Sequence, residues 1–249
     1  MAEVSAISWT DATFNPWIGC TEVSVGPKGA CVGCYARTLM QDRYGRAKWG
    51  PGEPRARTSA ANWKQPLRWN RQAAERGKPL RVFCSSLADV FDNEVPQAWR
   101  DDLWALIRET PNLRWMLLTK RIGNAPKMLP GDWPYPNAGL GSTIVTQAEW
   151  DRDYPKLAAV PASFHFVSDE PTLDYIDIGD ARPDWIITGG ESGPGFRPLD
   201  MSIVRHMRDQ CARNGITFHH KQNGGLRGKD TGCLVDGVEH KHFPLALAA

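Results

Sequence analysis

Three of the six cysteines crowd into one stretch, GCTEVSVGPKGACVGCYA at 19–36. Cys31 and Cys34 form a CxxC pair, and Cys20 lies eleven positions before Cys31 across a glycine-containing loop. An odd number fits neither a disulfide nor a structural zinc site, which takes four ligands. A four-iron cubane held by three cysteinates keeps one iron open to an outside ligand, so Cys20, Cys31 and Cys34 are read first as ligands of a 4Fe-4S cluster. The rival is zinc, with a fourth ligand drawn from Cys84, His165, His219 or His220. Unligated core thiols rank below both, because a CxxC beside glycine in a polar loop makes a poor core stretch. Cys211 in a helix and Cys233 in a late loop read as incidental.

Such a loop needs a scaffold, and the chain has enough residues for one. Its 249 residues suit one α/β unit, read as a single domain over 1–249. Hydrophobic residues at 41% and charged residues at 23% are ordinary for a globular protein. Thirty basic and 28 acidic residues leave a formal charge of +2, with no bulk drive towards nucleic acid or membrane. The first residues show no charged and apolar leader, and no apolar run nears the ~18 residues of a membrane span. The expectation is a cytoplasmic protein, in which clustered thiols bind metal or do chemistry.

From Leu80 onward, short apolar runs end in polar residues and alternate with helical segments. The runs are RVFCSSLADVF, RWMLLTKR, GLGSTIVTQ, FHFVSDEPT, DWIITGGESG and ITFHHKQNGG. Each is apolar on both faces, as buried parallel strands are. VPQAWRDDLWALIRET and PLDMSIVRHMRDQCARNG carry apolar residues at helical spacing, the second ending at Gly215 as a C-cap. AEWDRDYPKL is the short helix expected after GLGSTIVTQ. With VSAISWTD as a first strand there are seven, which predicts an α/β full or partial TIM-like barrel whose cysteine loop follows the first strand. A doubly wound sheet is the alternative. After the loop, YARTLMQDRYGRAKWG reads as a short helix ending at glycine, and GPGEPRART as an exposed basic loop.

Parallel α/β folds gather function at the C-terminal ends of their strands. Those ends carry Asp11 and Asn15, then Ser85, Ser86 and Asp89, then Thr119, Lys120 and Arg121, then Thr146 and Gln147. Ser168, Asp169 and Glu170 follow, then Gly189, Gly190, Glu191 and Ser192, and last Lys221 and Gln222. Singly, each is an ordinary cap or turn residue. Together they describe a pocket with groups for both carboxylates and amines. The candidate catalytic residues are Lys120, Glu170 and Glu191. The candidate cofactor-binding residues are Ser85, Ser86, Asp89, Thr119, Gln147, Ser168, Gly189, Gly190 and Lys221. GGESG lacks the continuation of a phosphate-binding fingerprint.

The cysteine loop before a βα barrel resembles the radical S-adenosylmethionine superfamily, although that superfamily's compact CxxxCxxC is here much longer in its first gap. WTDATFNPWIGC, CVGCYA, SSLADVF, LLTKR, GSTIVTQ, SDEP, GGESG, HHKQNGG and DGVEHKHFP together are similar to a family of phage and bacterial three-cysteine-motif proteins with radical-SAM-like features. The resemblance runs through nearly the whole chain. It implies a 4Fe-4S cluster on Cys20, Cys31 and Cys34, chelated by the amino and carboxylate groups of S-adenosylmethionine. It also implies an electron donor and a 5'-deoxyadenosyl radical that abstracts hydrogen from a substrate. In the superfamily a GGE-like turn after an early strand contacts the methionyl amine; here GGESG follows a late strand, and Ser85, Ser86 and Asp89 hold the early position.

The substrate expectation is DNA, RNA or a nucleotide, drawn from Lys120, Arg121 and the arginines of GPGEPRARTS. The second reading is a non-catalytic zinc- or cluster-binding module for nucleic-acid or protein interaction. A third is a metal-free hydrolase on Asp89, Glu170 and Glu191, two of them sharing a proton.

Overall fold

A computed structural model of the chain describes residues 5–227 and 231–248. Its apolar runs form seven strands: β1 (Ala12–Thr13), β2 (Leu80–Cys84), β3 (Leu113–Thr119), β4 (Ala138–Thr143), β5 (His165–Asp169), β6 (Trp185–Thr188) and β7 (Thr217–His220). All are parallel and each pairs with the next in sequence, Ala12 beside Val82 and Val82 beside Trp115 at one end, Thr188 beside His220 at the other. A doubly wound sheet reverses its strand order; this one does not, and it curls as a half-barrel with β1 and β7 unpaired with each other.

The first strand is shorter and later than expected. Residues 5–11 fold back, with the Ser5 amide donating to the Asp11 carbonyl at 2.9 Å. The cause is side-chain competition for the donors of β2. Asp11 Oδ2 accepts from the Arg81 amide at 2.8 Å and Thr10 Oγ1 from the Phe83 amide at 3.1 Å, so VSAISWTD does not run as a strand.

Among the described residues, four helices of 12 to 14 residues pack outside the sheet: α1 (Gln65–Arg76), α2 (Gln97–Arg108), α3 (Gln147–Ala159) and α4 (Met201–Asn214). The Thr146 and Asp200 side chains cap α3 and α4, and Gly77 and Gly215 end α1 and α4 in left-handed conformation. α3 is longer than AEWDRDYPKL implied and runs through Pro155. Between β5 and β6 there is no helix among the described residues, and Ile176 and Ile178 cover the sheet instead. No described helix is long and apolar enough to cross a membrane.

Alternate residues on the strands separate two cores. Val82, Cys84, Trp115, Leu117, Leu140 and Val167 face the helices, where Trp69, Trp104 and Met207 meet them. Phe83, Met116, Phe166, Trp185 and Ile187 point into the half-barrel with Trp9, Phe164 and Leu247. The GLGST run of β4 explains how this inner core fits. A Cβ on Gly139 would lie 2.2 Å from the Phe164 ring, and one on Gly141 2.4 Å from that of Phe166, so two rings occupy the space that two side chains would fill.

The open side is closed by the C-terminal segment. The His220 amide donates to the His240 carbonyl at 2.8 Å, and Lys241 Nζ to the His220 and Lys221 carbonyls at 2.7 Å each. The Arg81 guanidinium sits 3.8 Å from the centre of the Phe243 ring. Ser8 Oγ and His219 Nε2 meet at 2.9 Å across the gap between the first and last strands. Burial, then the Lys241 charge, depresses the His219 imidazole to about 3, so it is a neutral structural group.

Replacing Gly139 by alanine tests the ring-for-side-chain exchange. The expected loss is about 1–3 kcal/mol of stability by denaturant titration, as for other overpacked cores. Gly139→Ala combined with Phe164→Leu should recover part of it, and no recovery would place the strain elsewhere.

Candidate functional site: a cysteine loop across the mouth of the half-barrel

The loop from Cys20 to Cys34 lies over the C-terminal ends of the strands; a backbone bond ties down its start, and side chains beyond successive strands hold the rest. Beyond β2, the Gly19 amide donates to the Leu87 carbonyl at 3.1 Å. Beyond β3, Arg121 donates to the carbonyl of Thr21. Beyond β4, Glu149 accepts from Ser24 Oγ at 2.6 Å. Beyond β5, Asp174 pairs with Lys28 at 2.6 Å. Beyond β6, Arg197 donates to the carbonyls of Pro27, Gly29 and Val32 at 2.9, 3.1 and 3.4 Å. Within the loop, Ser24 shapes a turn by accepting from the Cys31 amide on its carbonyl and from the Ala30 amide on its hydroxyl, both at 2.8 Å.

Two of the loop's sulfurs already accept N–H groups. Cys20 Sγ receives Arg121 Nη1 at 3.5 Å, and Cys31 Sγ receives the Ser24 amide at 3.4 Å. Donors aimed at sulfur are what a thiolate metal ligand requires of its surroundings. Burial, with the Asp89 charge second, pushes the Cys20 thiol up to about 12, so metal binding there would release a proton.

Among the described residues, no three His, Cys, Asp or Glu side chains converge to hold a single metal ion. The four candidates for a fourth zinc ligand are engaged elsewhere. Cys84 is fully buried in the outer core, and His165 Nε2 meets the Val160 carbonyl at 2.7 Å. His219 meets Ser8, and His220 is held between Thr188 and Asn223 at 2.9 and 2.8 Å. Among the described residues none of the four therefore groups with the loop thiols as a zinc-ligand set. Three thiols without a fourth ligand are the donor set that a cubane with one open iron would take.

Inside the mouth, the inner-facing tops of β5, β6 and β7 form one constellation. Lys221 Nζ pairs with Glu170 Oε1 at 2.8 Å, and Ser168 Oγ donates to Glu170 Oε2 at 3.2 Å. A Cβ on Gly189 would stand 3.0 Å from Glu170 Oε1, so this glycine makes room for the ion pair. Ser168, Glu170, Gly189 and Lys221 are thus brought together. Thr143 on the adjacent β4 is buried with its hydroxyl unpartnered, a group the sequence reading missed for want of a motif.

The other strand-end residues have different tasks. Asp89 is saturated: Oδ1 accepts from Thr119 Oγ1 at 2.6 Å and the Phe91 amide at 2.9 Å, and Oδ2 from the Lys120 amide at 2.9 Å and Arg121 at 3.1 Å. Ser85 donates to the Ala88 carbonyl at 3.0 Å, and Ser86 accepts from Asn15 at 3.1 Å. Gln147 lies in α3, past the end of β4, and ties down Asp177 through its amide at 2.7 Å. Gly190 packs on the NGG turn, where a Cβ would meet the Asn223 carbonyl at 2.3 Å.

Glu191 faces the loop, 3.4 Å from where a Cβ on Gly33 would be, with both oxygens on Arg197 at 2.7 and 3.0 Å. Burial alone would raise its carboxyl, but hydrogen bonds and charge from Arg197 bring it below the ordinary value. Asp89, Glu170 and Glu191 each face their own cation, so the expectation that two of them share a proton is corrected. Asp169 points the other way. It is fully buried with neither oxygen partnered, and burial raises its carboxyl well above the ordinary value. The arginines of GPGEPRART are also redirected: Arg55 is a buried partner of Asp92 at 2.8 Å that reaches Thr21 Oγ1 at 2.7 Å, and Arg57 pairs with Asp102. Two surface cavities of about 270 and 480 Å³ flank the opposite, N-terminal strand ends and carry none of these residues.

Residues 4–244 match the family described as Protein of unknown function (DUF5131). The chain belongs to that family. No curated protein matches the sequence. Two solved structures are similar to it. One is a spore photoproduct lyase variant with bound AdoMet and dinucleoside spore photoproduct, at 11% identity and a TM-score of 0.46 over 82% of this chain and 62% of that one. The second is another variant of that lyase, at 12% identity and a TM-score of 0.48 over 84% and 63%. The chain thus spans under two thirds of their length.

Arg197 is the strap that sequence reasoning passed over, since a lone arginine after GPGF has no motif. Arg197→Met should raise amide hydrogen exchange across Gly29–Cys34 while leaving β2 to β6 protected. Unchanged exchange in the loop would remove Arg197 from this role.

Proposed function

We propose that this DUF5131 chain is an iron-sulfur enzyme of the radical S-adenosylmethionine type, acting on a nucleic acid or nucleotide. One observation carries the reading: a loop bearing three thiols, with no fourth metal ligand grouped with them among the described residues, is strapped over the polar mouth of a parallel half-barrel. Cys20, Cys31 and Cys34 would hold the cluster. When bound, the cluster with S-adenosylmethionine supplies reductive cleavage to a 5'-deoxyadenosyl radical, given one electron from a low-potential donor.

The chain's own residues then have definable tasks. The Glu170–Lys221 pair offers a carboxylate for the methionyl ammonium and an ammonium for its carboxylate, with Ser168 holding Glu170 in place. Thr143 brings an unused hydroxyl to the same mouth. The inner aromatic core excludes water below. Straps on the loop fix the thiols before any metal arrives, the kind of preorganisation a metal centre needs.

The nucleic-acid part rests on a different surface from the one expected. Arg121 and Arg55 are turned inward, but Arg43, Arg46 and Lys48, just after the CxxC, are exposed, and both guanidinium groups lie within 5.5 Å of the half-exposed Tyr44 ring. Cations beside an exposed aromatic ring suit phosphate and base together.

Anaerobic reconstitution should give about four irons per chain, and dithionite with S-adenosylmethionine should then release 5'-deoxyadenosine. Cys34→Ala should lose both. A brownless protein with one zinc, or a full cluster that leaves S-adenosylmethionine intact, sinks the reading. Separately, binding to single-stranded DNA or RNA should weaken steeply with salt and lose slope in an Arg43→Ala/Arg46→Ala protein; salt-independent binding would reject the substrate class.

A further inference from the structure

The Arg121 guanidinium is placed unlike any other cation of the mouth. Its side chain is 8% exposed, and three different groups share it: Asp89 Oδ2 at 3.1 Å, the Thr21 carbonyl, and Cys20 Sγ at 3.5 Å. Asp89 is itself locked by Thr119 and by the Phe91 and Lys120 amides, so the arginine cannot swing towards solvent without stranding a buried carboxylate. Arg197 holds the same loop more extensively, yet it reaches only carbonyls and Glu191 and touches no sulfur. Of these two clamps, one fixes where the loop is, and the other also brings a permanent positive charge and an N–H group to a metal-binding sulfur.

We infer that Arg121 is a positioning residue that sets the reduction potential of the cluster through Cys20, holding it higher than the thiolates alone would. This rests on the cluster reading above. Each added electron makes the cluster and its cysteinates more negative, and a cation with a hydrogen bond on one ligand sulfur stabilises that reduced form. The charge is dependable because a guanidinium stays protonated even when buried, and the Asp89 carboxylate lies 3.1 Å from it. Lysine is a poor substitute, because a point ammonium cannot reach the carboxylate, the carbonyl and the sulfur from one planar fork.

The test is a redox titration of the reconstituted cluster, with dithionite supplying one electron per cluster and the midpoint read by absorbance and electron paramagnetic resonance. Wild type is compared with Arg121→Lys, Arg121→Gln and Arg121→Met, and with Arg197→Met as a variant that loosens the loop without touching sulfur. The midpoint should move to more negative values in the Arg121 variants, least for lysine and most for methionine. Arg197→Met should lower iron per chain and leave the midpoint where it was. An unchanged midpoint in those Arg121 variants that hold the cluster overturns the inference, as does an equal shift in Arg197→Met. Loss of the cluster from all three Arg121 variants also overturns it, leaving Arg121 as a loop anchor only. A wild-type protein that takes up no iron fails the cluster reading itself.

Discussion

The rest of this structure depends on arginine side chains capturing main-chain carbonyls of the cysteine loop. Fixing one residue of backbone costs about 1–2 kcal/mol, and the loop from Cys20 to Cys34 has little regular structure to offset that cost. Its ordering must come from outside. Arg121 and Arg197 supply it by donating to Thr21, Pro27, Gly29 and Val32, each clamped in turn by a carboxylate, Asp89 or Glu191. The carboxylates therefore act twice removed from any chemistry: they orient cations, and the cations orient the loop. Buried or half-buried, such pairs are worth more as geometry than as net stability.

The sheet makes those clamps possible because it is singly wound. Every strand delivers its C-terminal end to the same rim, so four successive ends can each reach a different point along one loop. The inner core keeps that rim from collapsing. Where β4 carries glycine at 139 and 141, the rings of Phe164 and Phe166 fill the half-barrel from its neighbour, leaving the polar tops of β5 to β7 above an apolar floor. The C-terminal segment then seals the side that lacks an eighth strand, through Lys241, Phe243 and Leu247.

How much of this was legible depended on the kind of signal. Strands β2 to β7 announce themselves because both faces are buried and so both are apolar. β1 does not, since Thr10 and Asp11 take ladder donors with their side chains and shorten it to Ala12–Thr13. α1 carries only a thin apolar stripe, Trp69 and Ala73 among polar residues, and escapes a periodicity reading. At the site, Ser168, Glu170, Gly189 and Lys221 were found from their place at strand ends alone, and they do meet. Asp89 and Glu191 were found for the right location, while their partners Arg121 and Arg197 determine what they do there. A carbonyl acceptor leaves no trace in residue type, so the straps were invisible. For the same reason, exposed basic character was assigned to Arg55, whose guanidinium is in fact fully buried on Asp92.

Charge pairing also explains why the mouth can be strongly polar yet quiet. Asp89, Glu170 and Glu191 could compete for protons if they stood together unaccompanied. Each is matched instead to one cation, and the three pairs differ in how freely they could exchange partners. Asp89 and Arg121 are sealed by further hydrogen bonds, and Glu191 is held from both its oxygens by Arg197. Only the Glu170–Lys221 pair is held by a single 2.8 Å contact with a serine beside it, and its two side chains are partly exposed. Under the proposed function, a zwitterionic ligand would part that pair and satisfy both halves at once, because it brings one charge of each sign. The fixed pairs order the loop, and on that proposal the loosely held one is the pair that would take the ligand.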